Sequence, residues 1–208
     1  MIEVHHLNNS RSQRVLWLLE ELGVPYEVVG YQRDAVTNLA PESLRAIHPL
    51  GKSPVLRDGT QVVIESGAIL EYLVTRYGDG RLAPAPSSPD WLSYLQWMHY
   101  AEGSAMLPLM LRLYLARLGD AGAPLAPRVT SEIENHIGYL ESSLAGREYF
   151  VGNGLTAADI QLSFVVQATG MLYGLERFPN LVQFLQRIHA RPAYRRALER
   201  GGPYAFGS

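Results

Sequence analysis

Lys52-Ser53-Pro54-Val55-Leu56-Arg57-Asp58-Gly59-Thr60-Gln61-Val62-Val63-Ile64-Glu65-Ser66-Gly67-Ala68-Ile69 is the stretch that decides the fold. Its pattern is strand, turn, strand, helix start. Pro54-Val55-Leu56 is short and apolar, and Asp58-Gly59 is a hairpin turn signal. Val62-Val63-Ile64 is a β-branched run suited to a second strand. Ser66 is placed to cap a helix that runs through Val74 and closes at Gly78.

That helix start has chemical meaning. A helix N-terminus offers free backbone N–H groups and about half a positive charge, so it attracts a carboxylate or phosphate. Ser66 adds a hydroxyl donor, and Glu65 offers an acceptor for an ammonium. Together they suit the α-amino acid end of a small molecule. The same spacing also describes an ordinary capped helix with a solvated glutamate.

Before this stretch, Ile2 to Leu7 alternates and predicts a strand, followed by the polar loop Asn8-Asn9-Ser10-Arg11-Ser12. Val15, Leu16, Leu18, Leu19 and Leu22 follow at helical spacing, with Gly23 and Pro25 as stops. Tyr26 to Val29 predicts a second strand. Strand, helix and strand in succession imply a parallel unit. Gln32 to Ala40 is loop-like, and Pro41 to Ile47 can make a short helix.

After the stretch, Asp79 to Pro89 holds three prolines, three alanines or glycines and two serines, and marks the domain boundary. Beyond it the periodicity is helical. Trp91, Leu95, Met98, Glu102 and Ala105 share one face. Met106 to Leu118 is rich in leucine, with a kink expected at Pro108. Val129, Ile133, Ile137, Leu140 and Leu144 form an apolar stripe. Thr156-Ala157-Ala158-Asp159 has the form of a capping box with Asp in the usual Glu place, opening an apolar helix from Ile160 to Leu172. Pro179 to Ala190 and Ala193 to Arg200 give two more helices, and the tail is glycine-rich.

The 208 residues are 47% hydrophobic and 18% charged, with net charge −2, as expected of a soluble globular chain with a real core. No basic block points to nucleic acid. No apolar run approaches the roughly 20 residues of a membrane helix. The N-terminus starts directly in a strand-like pattern without a signal peptide, so a cytoplasmic location is expected. Cysteine is absent, which excludes disulfides, thiolate metal sites and a protein thiol nucleophile. Any thiol chemistry must use a ligand's sulfur. Adjacent strand residues His5 and His6 point to opposite faces and make a poor metal pair, so no metal is expected. Of the 18 basic residues the single lysine, Lys52, lies in the deciding stretch.

His48-Pro49-Leu50-Gly51-Lys52-Ser53-Pro54-Val55-Leu56, then Glu65-Ser66, then Leu155-Thr156-Ala157-Ala158-Asp159-Ile160 resemble, in this order and spacing, the soluble glutathione transferase family. The stretch from Ser10 to Leu22 is most similar to serine-type, theta-like bacterial and fungal members. The resemblance covers essentially the whole chain. It implies an α/β thioredoxin-like N-terminal domain followed by an all-α C-terminal domain. Residues 1–78 would form the glutathione-binding domain, 79–88 a linker, and 89–208 the helical domain that walls the electrophile site.

The family also implies site residues. Pro54 would follow a cis peptide bond, turning the backbone of Ser53 toward an extended peptide. Glutathione is such a peptide, and Glu65 and Ser66 would hold its γ-glutamyl end while Lys52 reaches its glycyl carboxylate. The thiol would be activated by a serine hydroxyl: Ser10 by spacing from Arg14, with Asn9 and Ser12 as alternates. Lowering a thiol pKa from roughly 8.5 by about 2 units takes about 2.7 kcal/mol. A hydroxyl donating to the charged sulfur supplies roughly 1.5–3 kcal/mol, and a helix N-terminus roughly 0.3–1 more, so no general base is required. Among His99, Tyr100, Glu102, Ser104 and Tyr114, the electrophile-site candidates are Tyr100 and Tyr114. The expected activity is attack of glutathione thiolate on small hydrophobic electrophiles, a detoxifying reaction, by a homodimer. Glutathione-dependent peroxide or disulfide reduction, and a non-catalytic binding module of the same fold, are the alternatives.

Overall fold

The computed structural model describes residues 1–206. The chain divides into two compact units. The first contains residues 1–83 and the C-terminal segment from His189. The second is Pro84–Ile188.

In the first unit, strands β1 (Ile2–Leu7), β2 (Tyr26–Tyr31), β3 (Val55–Asp58) and β4 (Gln61–Ile64) form one sheet in the order β2-β1-β3-β4. β1 and β2 are parallel, with Ile2 opposite Tyr26 and Leu7 opposite Tyr31. β3 runs antiparallel to β1, and β4 to β3. Helix α1 (Ser12–Leu22) makes the crossover and ends at Gly23 in the left-handed region, where glycine carries no Cβ penalty. The hairpin turn falls one residue later than the Asp58-Gly59 signal suggests. Asp58 pairs with Gln61 as the last residue of β3, leaving Gly59-Thr60 as the turn. Asp58 is held there by the hydroxyls of Tyr72 and Tyr77, both on α2 (Ser66–Tyr77).

The last helix, α8 (Pro192–Gly201), packs on α1. The segment from His189 onward thus belongs with the sheet unit, although its helical periodicity placed it with the helical domain. Side-chain chemistry explains the docking. Trp17 is fully buried and meets the Tyr194 ring edge-on at 5.3 Å. Arg191 forms a two-pronged bond to Glu21 (2.6 and 2.9 Å), a geometry that fixes orientation as well as charge. Arg196 pairs with Glu20 at 2.7 Å, and Arg200 lies 3.7 Å over the Tyr26 ring.

The second unit is helical: α3 (Trp91–Tyr100), α4 (Met106–Leu118), α5 (Ala126–Ser143), α6 (Ala157–Leu172) and most of α7 (Pro179–His189). Residues Ala157 through Thr169 of α6 are all buried, making α6 the central helix of this unit. The capping box forms as expected: Asp159 accepts from the Thr156 amide and hydroxyl at 2.8 Å each, and from the Phe150 amide at 2.8 Å. Glu141 on α5 accepts from the amides of Asn180 and Leu181 (3.0 Å each), satisfying the α7 N-terminus in place of a local cap. The break expected at Pro108 lies earlier, as a π-helical turn over Ala101–Ala105. Pro108 falls in the first turn of α4, where a missing N–H is tolerated.

Candidate active site

The site grows from three neighbouring pieces of the first unit: the β1–α1 loop, the segment before β3, and the start of α2. The Ser53–Pro54 peptide bond is cis. The Ser53 hydroxyl donates to the His5 carbonyl at 2.9 Å and accepts from the Leu7 amide at 3.2 Å, tying this segment to β1. The Ser10 hydroxyl lies 3.5 Å from it. Pro54 is buried, Ser53 half-buried and Lys52 exposed.

Ser10 is 5% exposed and stands just ahead of α1. Its Oγ accepts from the Ser12 amide at 3.3 Å and lies 2.7 Å from the Ser12 hydroxyl. Ser12 is the first residue of α1 and fully buried. Its hydroxyl meets the His6 Nδ1 at 2.8 Å. Asn9 adopts φ 50°, and its side-chain oxygen accepts from the Ala205 amide at 2.7 Å. So the three candidates for a thiol donor have different surroundings. Asn9 is engaged by the C-terminal tail, Ser12 by His6, and Ser10 lies between Ser12 and Ser53.

Ser66 does not cap α2. It is the first helical residue, and Glu65 takes the preceding position with φ 67° and no side-chain cap bond. Ser66 Oγ instead accepts from the Arg14 Nη1 at 3.1 Å. Arg14 is 1% exposed, and a buried guanidinium takes the available hydroxyl acceptor in preference to a local cap. A left-handed backbone at a non-glycine residue costs of order 1–3 kcal/mol and tends to persist where function holds it. Glu65 combines that backbone with an exposed side chain beside the helix N-terminus.

Tyr100 and Tyr114 belong to the second unit. The Tyr100 hydroxyl lies 2.7 Å from the His136 Nδ1, within a ring cluster that includes Trp97 and Tyr139. Burial pushes its pKa up to about 12. Tyr114 is 52% exposed. Among the described residues no group of three or more His, Asp or Glu side chains is placed to hold a metal ion. Among the described residues, no helix is long and apolar enough to cross a membrane.

Two features of the site have no counterpart in the sequence reading. One is His6, which strand alternation separates from His5 but does not assign to a partner. The other is the C-terminal tail, whose Ala205 reaches Asn9 and whose Tyr204 lies near Arg14 and Arg11. The signal available for the tail was Gly201-Gly202 after an amphipathic helix, which marks a turn but not its destination.

A βαβ-ββα sheet unit with a serine before α1 and a cis-proline before β3, joined to a helical unit, defines a thioredoxin-like protein of the glutathione transferase type. The family model described as "Glutathione S-transferase, N-terminal domain" matches residues 1–75, and "Glutathione S-transferase, C-terminal domain" matches residues 98–192. Glutathione S-transferase 3 of Schizosaccharomyces pombe is 35% identical, covering 96% of this chain and 88% of its own length. Glutathione S-transferase 1 of Saccharomyces cerevisiae is 31% identical, covering 96% and 95%. The crystal structure of a glutathione S-transferase from Actinobacillus pleuropneumoniae, 36% identical, superposes with a TM-score of 0.91 over 99% of this chain and 95% of that one. A family member from Pseudomonas fluorescens solved with two glutathione molecules bound has a TM-score of 0.80 at 27% identity, covering 95% of this chain and 92% of that one. The chain belongs to the glutathione S-transferase family.

Proposed function

We propose that this protein binds glutathione on its sheet unit and activates the thiol as thiolate for attack on small hydrophobic electrophiles. The observation that carries the proposal is the placement of Ser10, a buried hydroxyl at the start of α1 and 3.5 Å from the Ser53 hydroxyl beside the cis-proline. A hydroxyl there can donate to a sulfur held against the helix N-terminus. Ser12 is the weaker serine because its hydroxyl is engaged by His6, and Asn9 is held through its side-chain oxygen by the Ala205 amide of the C-terminal tail.

Glu65 and Ser66 take the γ-glutamyl end, the carboxylate meeting the α2 N-terminus and the ammonium meeting Glu65. The backbone of Ser53 pairs with the peptide, and exposed Lys52 meets the glycyl carboxylate. On the helical unit, Tyr114 is the better electrophile contact. It presents an exposed ring, whereas the Tyr100 hydroxyl is bonded to His136. The Pseudomonas fluorescens family member solved with two glutathione molecules bound supports the choice of ligand. The family likeness supports a homodimeric state and a cytoplasmic setting, and light scattering of the purified protein tests the former.

The test is an ultraviolet difference titration with glutathione at neutral pH. Saturable thiolate absorbance, followed by turnover of a model aromatic halide, is the expected result. Binding without thiolate would favour peroxide or disulfide chemistry, and no binding would overturn the reading.

A further inference from the structure

Behind Ser10 lies a continuous line of hydrogen-bonding groups. Ser10 Oγ is 2.7 Å from Ser12 Oγ, and Ser12 Oγ is 2.8 Å from the His6 Nδ1. The three residues are 5%, 0% and 4% exposed, so water does not offer a competing route. His6 has a further hydrogen bond to the backbone of Gly201, at the end of α8. A backbone group that favours the protonated ring is an acceptor, which suits the neutral tautomer with hydrogen on Nε2 and leaves Nδ1 to accept from the Ser12 hydroxyl.

We infer that His6, acting through Ser12, accepts the proton that the glutathione thiol gives up at Ser10. The inference rests on the proposed placement of the thiol at Ser10. Before transfer, the thiol S–H donates to Ser10 Oγ, Ser10 O–H donates to Ser12 Oγ, and Ser12 O–H donates to His6 Nδ1. In the transfer, the S–H bond and the two original O–H bonds break. The thiol proton goes to Ser10, the Ser10 proton to Ser12, and the Ser12 proton to Nδ1. No electron leaves the system, and the result is a thiolate and an imidazolium. Every bond in the line has reversed direction, so Ser10 now donates to the sulfur, as stabilisation of a thiolate requires.

The geometry also accounts for the return step. Burial lowers the pKa of His6, opposed by the Gly201 bond. Burial thus disfavours the imidazolium, and a thiolate at the other end of the line offsets that cost. Once the sulfur has attacked an electrophile, the cation loses its counter-charge. The proton then passes back through Ser12 and Ser10 to the departing anion or to water. The serine pair alone could not do this, since neither hydroxyl can hold an extra proton near neutral pH. His5, the adjacent histidine, lies on the other face of β1 against the Tyr31 hydroxyl at 2.9 Å, and has no part in the line.

The experiment compares the bound-thiol titration, read by thiolate absorbance against pH, in the wild type and in Ser12→Ala, His6→Asn, His5→Asn and Ser10→Ala. Asn at position 6 can accept a hydrogen bond from Ser12 but cannot hold the proton. The expected result is a bound-thiol pKa raised by about 1 unit, roughly tenfold less thiolate below the pKa, in both Ser12→Ala and His6→Asn. Glutathione affinity measured by calorimetry at acidic pH, where the thiol form binds, should stay within about twofold of wild type. The Ser12→Ala/His6→Asn double variant should be no worse than either single, because both cut one line. His5→Asn should titrate as wild type. Wild-type titration in Ser12→Ala and His6→Asn, alongside an impaired Ser10→Ala, would overturn the relay alone. Wild-type titration in Ser10→Ala would overturn the placement of the thiol and the relay with it. Should His6→Asn not fold, Ser12→Ala removes a single oxygen atom and decides the question by itself.

Discussion

Arg14 Nη1 donates to Ser66 Oγ at 3.1 Å, joining the first turn of α1 to the first residue of α2. The two helix starts that the proposed function assigns to the thiol and to the γ-glutamyl carboxylate are thus held by one buried guanidinium. Replacing Arg14 by Lys keeps the charge but loses the planar fork. The expected outcome is a stability loss of roughly 1–3 kcal/mol, the cost of disturbing a buried charged hydrogen bond, measured by urea unfolding. Glutathione binding should weaken as well. Ser66→Ala should weaken binding by about tenfold, or about 1.4 kcal/mol, while leaving the pKa of the bound thiol unchanged. A shifted thiol pKa in Ser66→Ala would contradict this division of roles.

Ser10→Ala separates activation from binding in the opposite direction. It removes the proposed donor to the thiolate, a charge-assisted bond of roughly 1.5–3 kcal/mol. The bound thiol's pKa should rise by about 1–2 units, and kcat/KM with an aromatic halide at neutral pH should fall by roughly 10- to 100-fold. Glutathione affinity at acidic pH should be nearly unchanged. Equal turnover in Ser10→Ala would remove Ser10 from the mechanism.

Much of this was legible in the sequence because it is written in short-range pattern. Period-two alternation located β1, a β-branched run located β4, helical spacing located α1, and Thr156 with Asp159 announced the start of α6. Long-range pairings were not legible. The apolar face of α8 carries Ala193, Tyr194 and Ala197, all buried, but amphipathicity states only that something covers the face. That the cover is Trp17 of α1 depends on Arg191 finding Glu21, which lies 170 positions away in sequence. Ser66 illustrates the same limit within one residue. Its position suited a cap, and the competitor for its hydroxyl, Arg14, lay on another helix. His6 was assigned correctly to a strand. Its value comes from Ser12 and Gly201, which only folding brings to its two ring nitrogens.

Gly201 offers a test of how closely α8 seats against this region. A Cβ at this position would stand 2.7 Å from the Gln13 Oε1, 2.9 Å from the Leu16 Cδ1 and 3.3 Å from the His6 Cε1. Gln13 and Leu16 are buried, so neither can simply swing into solvent. Overpacking of this kind typically costs about 1–3 kcal/mol. Gly201→Ala should lower stability in that range. It should also raise the bound thiol's pKa, because moving the Gly201 carbonyl weakens the bond that orients His6. Gly202→Ala probes the strain of the turn separately: φ is 77° and nothing lies within 4 Å of a Cβ there. It should cost about 1 kcal/mol with no change in thiol titration.

Asp159 makes stability depend on pH in a direction opposite to that of most carboxylates. Burial raises its pKa from 3.8 to about 6, against the pull of the amides of Phe150 and Thr156 and the Thr156 hydroxyl. A carboxyl whose folded pKa lies above its unfolded value binds its proton more tightly in the folded state. Between pH 3.8 and about 6 the folded chain therefore holds more protons at this group, and its contribution to stability falls as pH rises through that window. Above pH 6 the contribution is level. Unfolding free energies of the wild type and Asp159→Asn, measured across this window, isolate the effect. The wild type should lose stability relative to the variant as pH rises from about 4 to 6, and the difference should then stay constant. Asp159→Asn should still be the less stable protein at neutral pH by roughly 1–3 kcal/mol. The amide cannot accept from all three donors, so one buried N–H or O–H of the α6 start is left facing another donor. A difference that grows in favour of the wild type between pH 4 and 6 would mean that the three hydrogen bonds outweigh burial, and that Asp159 is an ordinary ionised cap.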